Sequence, residues 1–240
     1  MAQGPNNGLL ERARANGALL GTDLHSHVLP GIDDGARSTA DSLAMLSLLA
    51  SLGYERVITT PHVMEGAYPN SPETISEARQ SLEELPPGLQ LFAAGEYMLD
   101  EGLMRILEAG DILTLGGRHV LVECPFQQPW PGYREMIFEM QLREYVPVLA
   151  HPERYPYWMA DPRGLFSLLD AGVLFQVNLM SLGGRYGPEV RRQAESLLQR
   201  GMVSYLGSDL HTVASAPDLI RGLASAAVTV HAPRMANRHL

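Results

Sequence analysis

Residues 22–36 read TDLHSHVLPGIDDGA, and the apolar NGALL at 16–20 leads into them. The interval holds Asp23, His25, His27, Asp33 and Asp34. In an extended strand, residues i and i+2 point to one face, so His25 and His27 converge on a single point. The glycines at 31 and 35 mark a turn that brings Asp34 back towards a neighbouring point. Two imidazoles and a returning carboxylate suit divalent cations, and the set contains no thiolate. Mn, Fe or Zn fits such donors; a structural cysteine zinc site does not.

Working outward, strand-like and helix-like segments alternate to the end of the chain. A first strand is expected near ALLGTDLHSH. A helix follows from Ser38, with Asp41 completing its N-terminal cap. RVITTPH reads as a second strand. Ser71-Pro72 opens the next helix, with proline at its first position. The remaining expected strands are LQLFAAGEY, HVLVECPF, VPVLAHPERY, VLFQVNL and VSYLGSDLH, each followed by a helical pattern. Seven β–α units with short apolar strands imply a parallel sheet wrapped by helices, closed or nearly closed. No composition break marks a second domain, so the 240 residues read as one domain. Residues 1–20 and the tail HAPRMANRHL read as appendages.

His25, His27, His62, Glu96, Glu123, His151, Asp209 and His211 fall at the C-terminal ends of six of these strands. That is the face where barrel enzymes build active sites. A single histidine at a strand end is usually a hydrogen-bonded structural residue. The joint pattern is different, because so many converging carboxylates cannot all stay ionised without cations. His119 lies at the opposite end of its strand, and His231 and His239 lie in the tail; all three read as structural.

The net charge of −9 argues against a nucleic-acid groove. No apolar run approaches a membrane span, and the N-terminus lacks a secretory pattern, so a cytoplasmic protein without membrane insertion is expected. Cys124 is the one cysteine. In CPFQQPW, Trp130 stands where a cysteine phosphatase would place its arginine, and nothing nearby lowers the thiol pKa. Tyr68, Phe126, Trp130, Tyr155 and Tyr157 fall on loops at the same face and could pack on a phenyl ring or cover the rim.

DLHSHVLPGIDDGA, TTPH, GEYMLDE, VLVECPF, VLAHPERY and LGSDLH, in that order from Thr22 to His211, resemble the PHP (polymerase and histidinol phosphatase) superfamily. Within it they look like the bacterial protein-tyrosine phosphatases of capsule and exopolysaccharide clusters. The resemblance implies an α/β fold, a distorted (β/α)7 barrel holding three divalent metal ions, often manganese. It implies that His25, His27, Glu96 and Asp209 hold one ion. Glu96, Glu123 and His151 would hold the second, and Asp34, His62 and His211 the third. Arg154 matches the arginine that contacts phosphate, and Asp209 could donate a proton only by loosening a metal. The implied substrate is the phosphorylated tyrosine-rich tail of a bacterial tyrosine kinase. The segment after His211, TVASAPD, departs from the pattern by lacking a polar phosphate contact. A histidinol-phosphate-type phosphatase, a proofreading nuclease relative and a weakly catalytic metal-loaded binding module stay open beside this reading.

Overall fold

A computed structural model describes residues 5–240. Helix α1 (Pro5–Leu20) precedes strand β1 (Thr22–Asp23), and α2 (Thr39–Ser51) leads to β2 (Arg56–Thr59) and β3 (His62–Val63). Then come α3 (Pro72–Gln80), β4 (Gln90–Ala93), β5 (Glu96–Met98), α4 (Glu101–Ala109), β6 (His119–Glu123) and α5 (Tyr133–Leu142). After β7 (Val146–Ala150) follow α6 (Pro156–Ala160), α7 (Arg163–Asp170), β8 (Leu174–Asn178) and α8 (Leu179–Leu182). The chain finishes with α9 (Pro188–Gln199), β9 (Tyr205–Gly207), α10 (Ala216–Leu223), α11 (Ala226–His231) and short 3-10 turns.

Local signals in the sequence explain the helix starts. Ser38 accepts from the Asp41 N–H, and Ser71 forms a reciprocal box with Thr74. Asp100 caps α4, and Gly110 ends it in the left-handed conformation that glycine adopts without strain.

All ladders are parallel, in two sheets ordered β1-β2-β4 and β3-β5-β6-β7-β8-β9. The ladders therefore do not form one closed sheet. Two expected strands are each divided between the sheets. RVITTPH breaks at Thr60-Pro61, where proline has no N–H for the ladder, and LQLFAAGEY breaks at Ala94-Gly95. The sheets remain stitched together: Thr60 N–H donates to Ser26 O, and Ser26 bridges in parallel to Leu210 beyond β9.

Two apolar layers surround the strands. An inner cluster holds Leu24, Ile58, Ala94, Leu115, Leu121, Val148, Ala150 and Tyr205. The larger layer lies between strands and helices. Strand alternation then decides where the ligating residues point. Ala94 and Leu121 are inner residues, so Glu96 and Glu123, two positions on, face the same interior above that floor.

Residues 1–4 of the expected N-terminal appendage lie outside the described residues, but the rest of that segment is no appendage. It is α1, whose Ala13 and Asn16 are buried. Asn16 donates to Leu223 O at 2.7 Å, tying α1 to α10. The tail is likewise bound in: Asn237 donates to Thr22 O and Leu206 O, spanning β1 and β9. No helix among the described residues is long and apolar enough to cross a membrane.

Candidate metal-centred active site

The fold brings all nine expected ligating residues together, although His62 and Glu96, expected at strand ends, open β3 and β5 where the two divided strands resume, and Asp34 lies on the turn after β1. Their donor atoms form four overlapping groups: His27, Asp34, His62 and His211; His25, His151 and Asp209; His25, His27 and Glu96; His62, Glu96 and Glu123. Within each group the atoms lie within 4.8 Å of one another. Glu96 occupies the middle. Its Oε1 is 3.2 Å from His25 Nε2 and 3.1 Å from His151 Nε2, and its Oε2 is 3.4 Å from His27 Nε2. Asp34 Oδ1 reaches His211 Nε2 at 3.4 Å and His62 Nε2 at 3.5 Å. His62 Nδ1 lies 2.9 Å from Glu123, whereas His151 Nε2 is 4.0 Å from it.

Two of these residues have a left-handed backbone, which residues other than glycine adopt infrequently. His151 has φ 37° and ψ 52°, and Asp209 has φ 53°. Each turns the backbone after a strand while its side chain stays in the cluster. Such strain persists where the surroundings impose it, and it clusters at functional sites.

The donor chemistry fits divalent cations. His25, His27, Glu96, Glu123, His151 and Asp209 are all buried. His62 Nδ1, Glu96 Oε2, Glu123 Oε1 and His151 Nδ1 are buried without a hydrogen-bond partner among the described residues. Orphaned polar atoms of this kind are costly unless something binds them. Burial, followed by the Glu96 charge, raises the Glu123 carboxyl. Burial pushes His151 down to about 4, which leaves the neutral imidazole that a cation needs. The His211 bond holds Asp34 at about 2.

Around the cluster stand residues that the sequence did not single out. Asp33 Oδ2 accepts from His27 Nδ1 at 2.8 Å and from the His62 N–H at 3.2 Å, while its Oδ1 accepts from the Gly35 N–H at 2.9 Å. Burial raises Asp33, but the His27 bond and charge prevail and hold it below the ordinary carboxylate range. The two aspartates of the turn therefore divide the work. Asp34 faces the cluster, and Asp33 aims His27 from behind. Gln176 Oε1 does the same for His25, at 2.7 Å from its Nδ1. In both cases the outer nitrogen is engaged and Nε2 faces the cluster, the arrangement that sets the tautomer of a ligating histidine.

A cavity of about 270 Å³ opens over the cluster. It is lined by Asp34, His62, Glu123, His151, Asp209 and His211 of the cluster, together with Phe126, Arg154, Met180, Arg185, Tyr186 and Ser215. Arg154 Nη1 donates to Asp209 Oδ2 at 2.8 Å. Its guanidinium lies between the Phe126 ring, at 4.8 Å, and the Tyr186 ring, at 4.2 Å. It does not pair with Glu153, whose carboxylate accepts from Asn178 N and Ser181 Oγ instead. Of the expected aromatic residues, Phe126 lines the cavity and Tyr68 stacks on His62 at 5.4 Å. Tyr155 is fully buried and accepts from the Cys124 N–H, so it belongs to the core. Cys124 is buried, and burial pushes its thiol up to about 12. His119 bonds Gly116 O at the far end of β6.

Comparison with known proteins agrees with this geometry. The family model "Capsular polysaccharide synthesis, CpsB/CapC" matches residues 21–232. The tyrosine-protein phosphatase YwqE of Bacillus subtilis is 33% identical over 202 residues, covering 80% of this chain and 77% of YwqE. The tyrosine-protein phosphatase CpsB of Streptococcus pneumoniae is 25% identical over 205 residues, covering 81% of this chain and 84% of CpsB. A chain solved in work on YwqE and CpsB, described as unique metal-dependent tyrosine phosphatases, superposes with a TM-score of 0.77 at 27% identity. That match covers 88% of this chain and 90% of the other. With the family match running through β1 to β9 and all nine residues of the cluster, the chain belongs to the CpsB/CapC family of capsular polysaccharide synthesis.

Proposed function

We propose that the protein is a metal-dependent phosphotyrosine-protein phosphatase of the cytoplasm. Its substrate is the phosphorylated tyrosine-rich tail of a bacterial tyrosine kinase in capsule or exopolysaccharide production. The observation that carries this reading is the cavity in which six of the nine cluster residues meet Arg154 and the aromatic pair Phe126 and Tyr186. The two sheets act as one distorted (β/α)7 barrel in a single domain; the Ser26–Leu210 bridge and the Thr60–Ser26 bond support that closure.

The cluster holds three divalent ions. Manganese is the proposed metal, and the nitrogen and oxygen donors also accept iron or zinc. His25, His27, Glu96 and Asp209 would hold one ion, Glu96, Glu123 and His151 a second, and Asp34, His62 and His211 a third. When bound, such ions lower the pKa of water towards about 7 and neutralise phosphoryl charge.

The remaining work falls to the chain itself. Arg154 keeps Nη1 on Asp209 and offers its remaining donors to phosphoryl oxygens. Phe126 and Tyr186 hold that guanidinium flat and present apolar edges to a phenyl ring. Asp33 and Gln176 keep His27 and His25 in the tautomer that faces inward.

Leaving-group chemistry supplies the test. Every imidazole and carboxylate lining the cavity belongs to the cluster, so none is spare to protonate a departing oxygen. A phenol, with pKa about 10, departs as phenolate with little help. A serine-type alkoxide needs a well-placed acid. Metal-reconstituted protein should therefore cleave a phosphotyrosine peptide far faster than its phosphoserine counterpart. Equal kcat/KM on the two, or faster release of phosphate from histidinol phosphate, would overturn the reading.

A further inference from the structure

Between α8 and α9 the chain reads GGRYG, residues 183–187. Two glycine contacts fix this turn. A Cβ on Gly183 would overlap the Asp218 carbonyl, and one on Gly222 would overlap the Leu179 carbonyl. The backbones of α8 and α10 therefore meet directly, without side chains between them. Gly184 at φ +86° and Gly187 at φ +94° then bracket Arg185 and Tyr186. The result is a corner that presents two consecutive side chains to the cavity over the cluster.

The two arginines of that cavity are held differently. Arg154 packs against the Phe126 and Tyr186 rings and is committed at Nη1 to Asp209. Arg185 is tethered at one nitrogen only: its Nη1 donates to Asp218 Oδ2 at 3.1 Å. Asp218, in the first turn of α10, is itself held by Arg221. The Arg185 side chain stays 37% exposed while lining the cavity. A phosphate monoester brings close to two negative charges near neutral pH. Beside the acidic cluster the cavity therefore offers two cations, one bonded to Asp209 within the cluster and one held only by Asp218 outside it.

We propose that Arg185 contacts the substrate directly and donates to a phosphoryl oxygen alongside Arg154, with Asp218 as its tether. This rests on the phosphatase reading above. It gives the cavity a second phosphate-binding cation supplied by the α8–α9 corner, where the segment after His211 supplies none.

The experiment compares metal-loaded wild type, Arg185→Ala and Arg185→Lys. Binding of inorganic phosphate is measured by calorimetry, and kcat/KM is measured on a phosphotyrosine peptide and on p-nitrophenyl phosphate. Metal content and circular dichroism establish that each variant is loaded and folded. Losing one charge-assisted contact should weaken phosphate binding and lower kcat/KM on both substrates by about 10- to 100-fold in Arg185→Ala. Arg185→Lys, which keeps the charge without the fork, should fall between the two. Unchanged phosphate affinity overturns the proposal. So does a loss confined to the peptide, which would make Arg185 a contact for the flanking chain. A wild type that binds phosphate through Arg185 but hydrolyses neither ester would defeat the phosphatase reading and leave this contact standing.

Discussion

Asp33 is the sharpest place to test how the cluster is kept in order. Asp33→Ala removes three accepted bonds at once: from His27 Nδ1 at 2.8 Å, from Gly35 N–H at 2.9 Å and from His62 N–H at 3.2 Å. It leaves every direct ligand in place. His27 would lose the partner that keeps a proton on Nδ1 and the lone pair on Nε2, which faces Glu96 and Asp209. Losing an orienting partner of this kind lowers metal affinity by about 10- to 100-fold, or about 1.4 to 2.7 kcal/mol. Asp33→Asn is nearly isosteric and more discriminating. An amide has one accepting oxygen. If that oxygen serves Gly35, the NH2 group confronts the His62 N–H and drives the His27 proton to Nε2. If it serves His27 and His62, the Gly35 N–H is abandoned. Either way affinity should fall, by about tenfold. The assay is competition for Mn against a chelator of known affinity, with metal content measured after gel filtration and helicity checked by circular dichroism. Wild-type affinity in both variants would refute the idea that Asp33 orders the site.

Three further outcomes are expected. Glu96→Ala, at the centre of the cluster, should lower metal content and abolish turnover while far-ultraviolet circular dichroism stays native; full occupancy and activity would sink its bridging role. A chelator should stop hydrolysis, whereas Cys124→Ser and thiol alkylators should not, because the Cys124 thiol is buried and pushed up to about 12. Gly222→Ala drives a methyl group into the Leu179 carbonyl, so chemical denaturation should show a loss of about 1–3 kcal/mol, and unchanged stability would mean that α8 and α10 can separate freely.

What the sequence could and could not disclose follows from the physics of each residue. The H-x-H at 25 and 27, and the carboxylates at 96 and 123 within apolar strand segments, stand out because charge in a buried strand has few explanations. Which aspartate of the turn faces inward does not stand out, since Asp33 and Asp34 are chemically alike and backbone geometry alone separates their roles. Gln176 is neutral and lies in VLFQVNL; its one visible signal is a polar residue spaced by two from Asn178, to which it donates at 2.9 Å. Arg185 and Tyr186 were marked only by the glycines around them. Helix α1 escaped because small or polar residues, Ala13, Asn16 and Gly17, fill the middle of its buried face, and its buried Leu20 stands in the apolar run NGALL that reads as the start of a strand. The division of two strands between two sheets had a cue at Pro61, but its effect depends on which neighbour each half meets.

The bridge between Ser26 and Leu210 has a consequence for the order of events during synthesis. A chain emerges N-terminus first. By residue 123 it contains every member of two donor groups, the one of His25, His27 and Glu96 and the one of His62, Glu96 and Glu123. The other two groups wait for Asp209 and His211. The first strand waits with them, because Asp23 is bonded to Ser208 and His25 O to the Asp209 N–H. A nascent chain could thus seize an ion early with an incomplete and loosely ordered set. The complete donor set is therefore assembled only when the last strand docks.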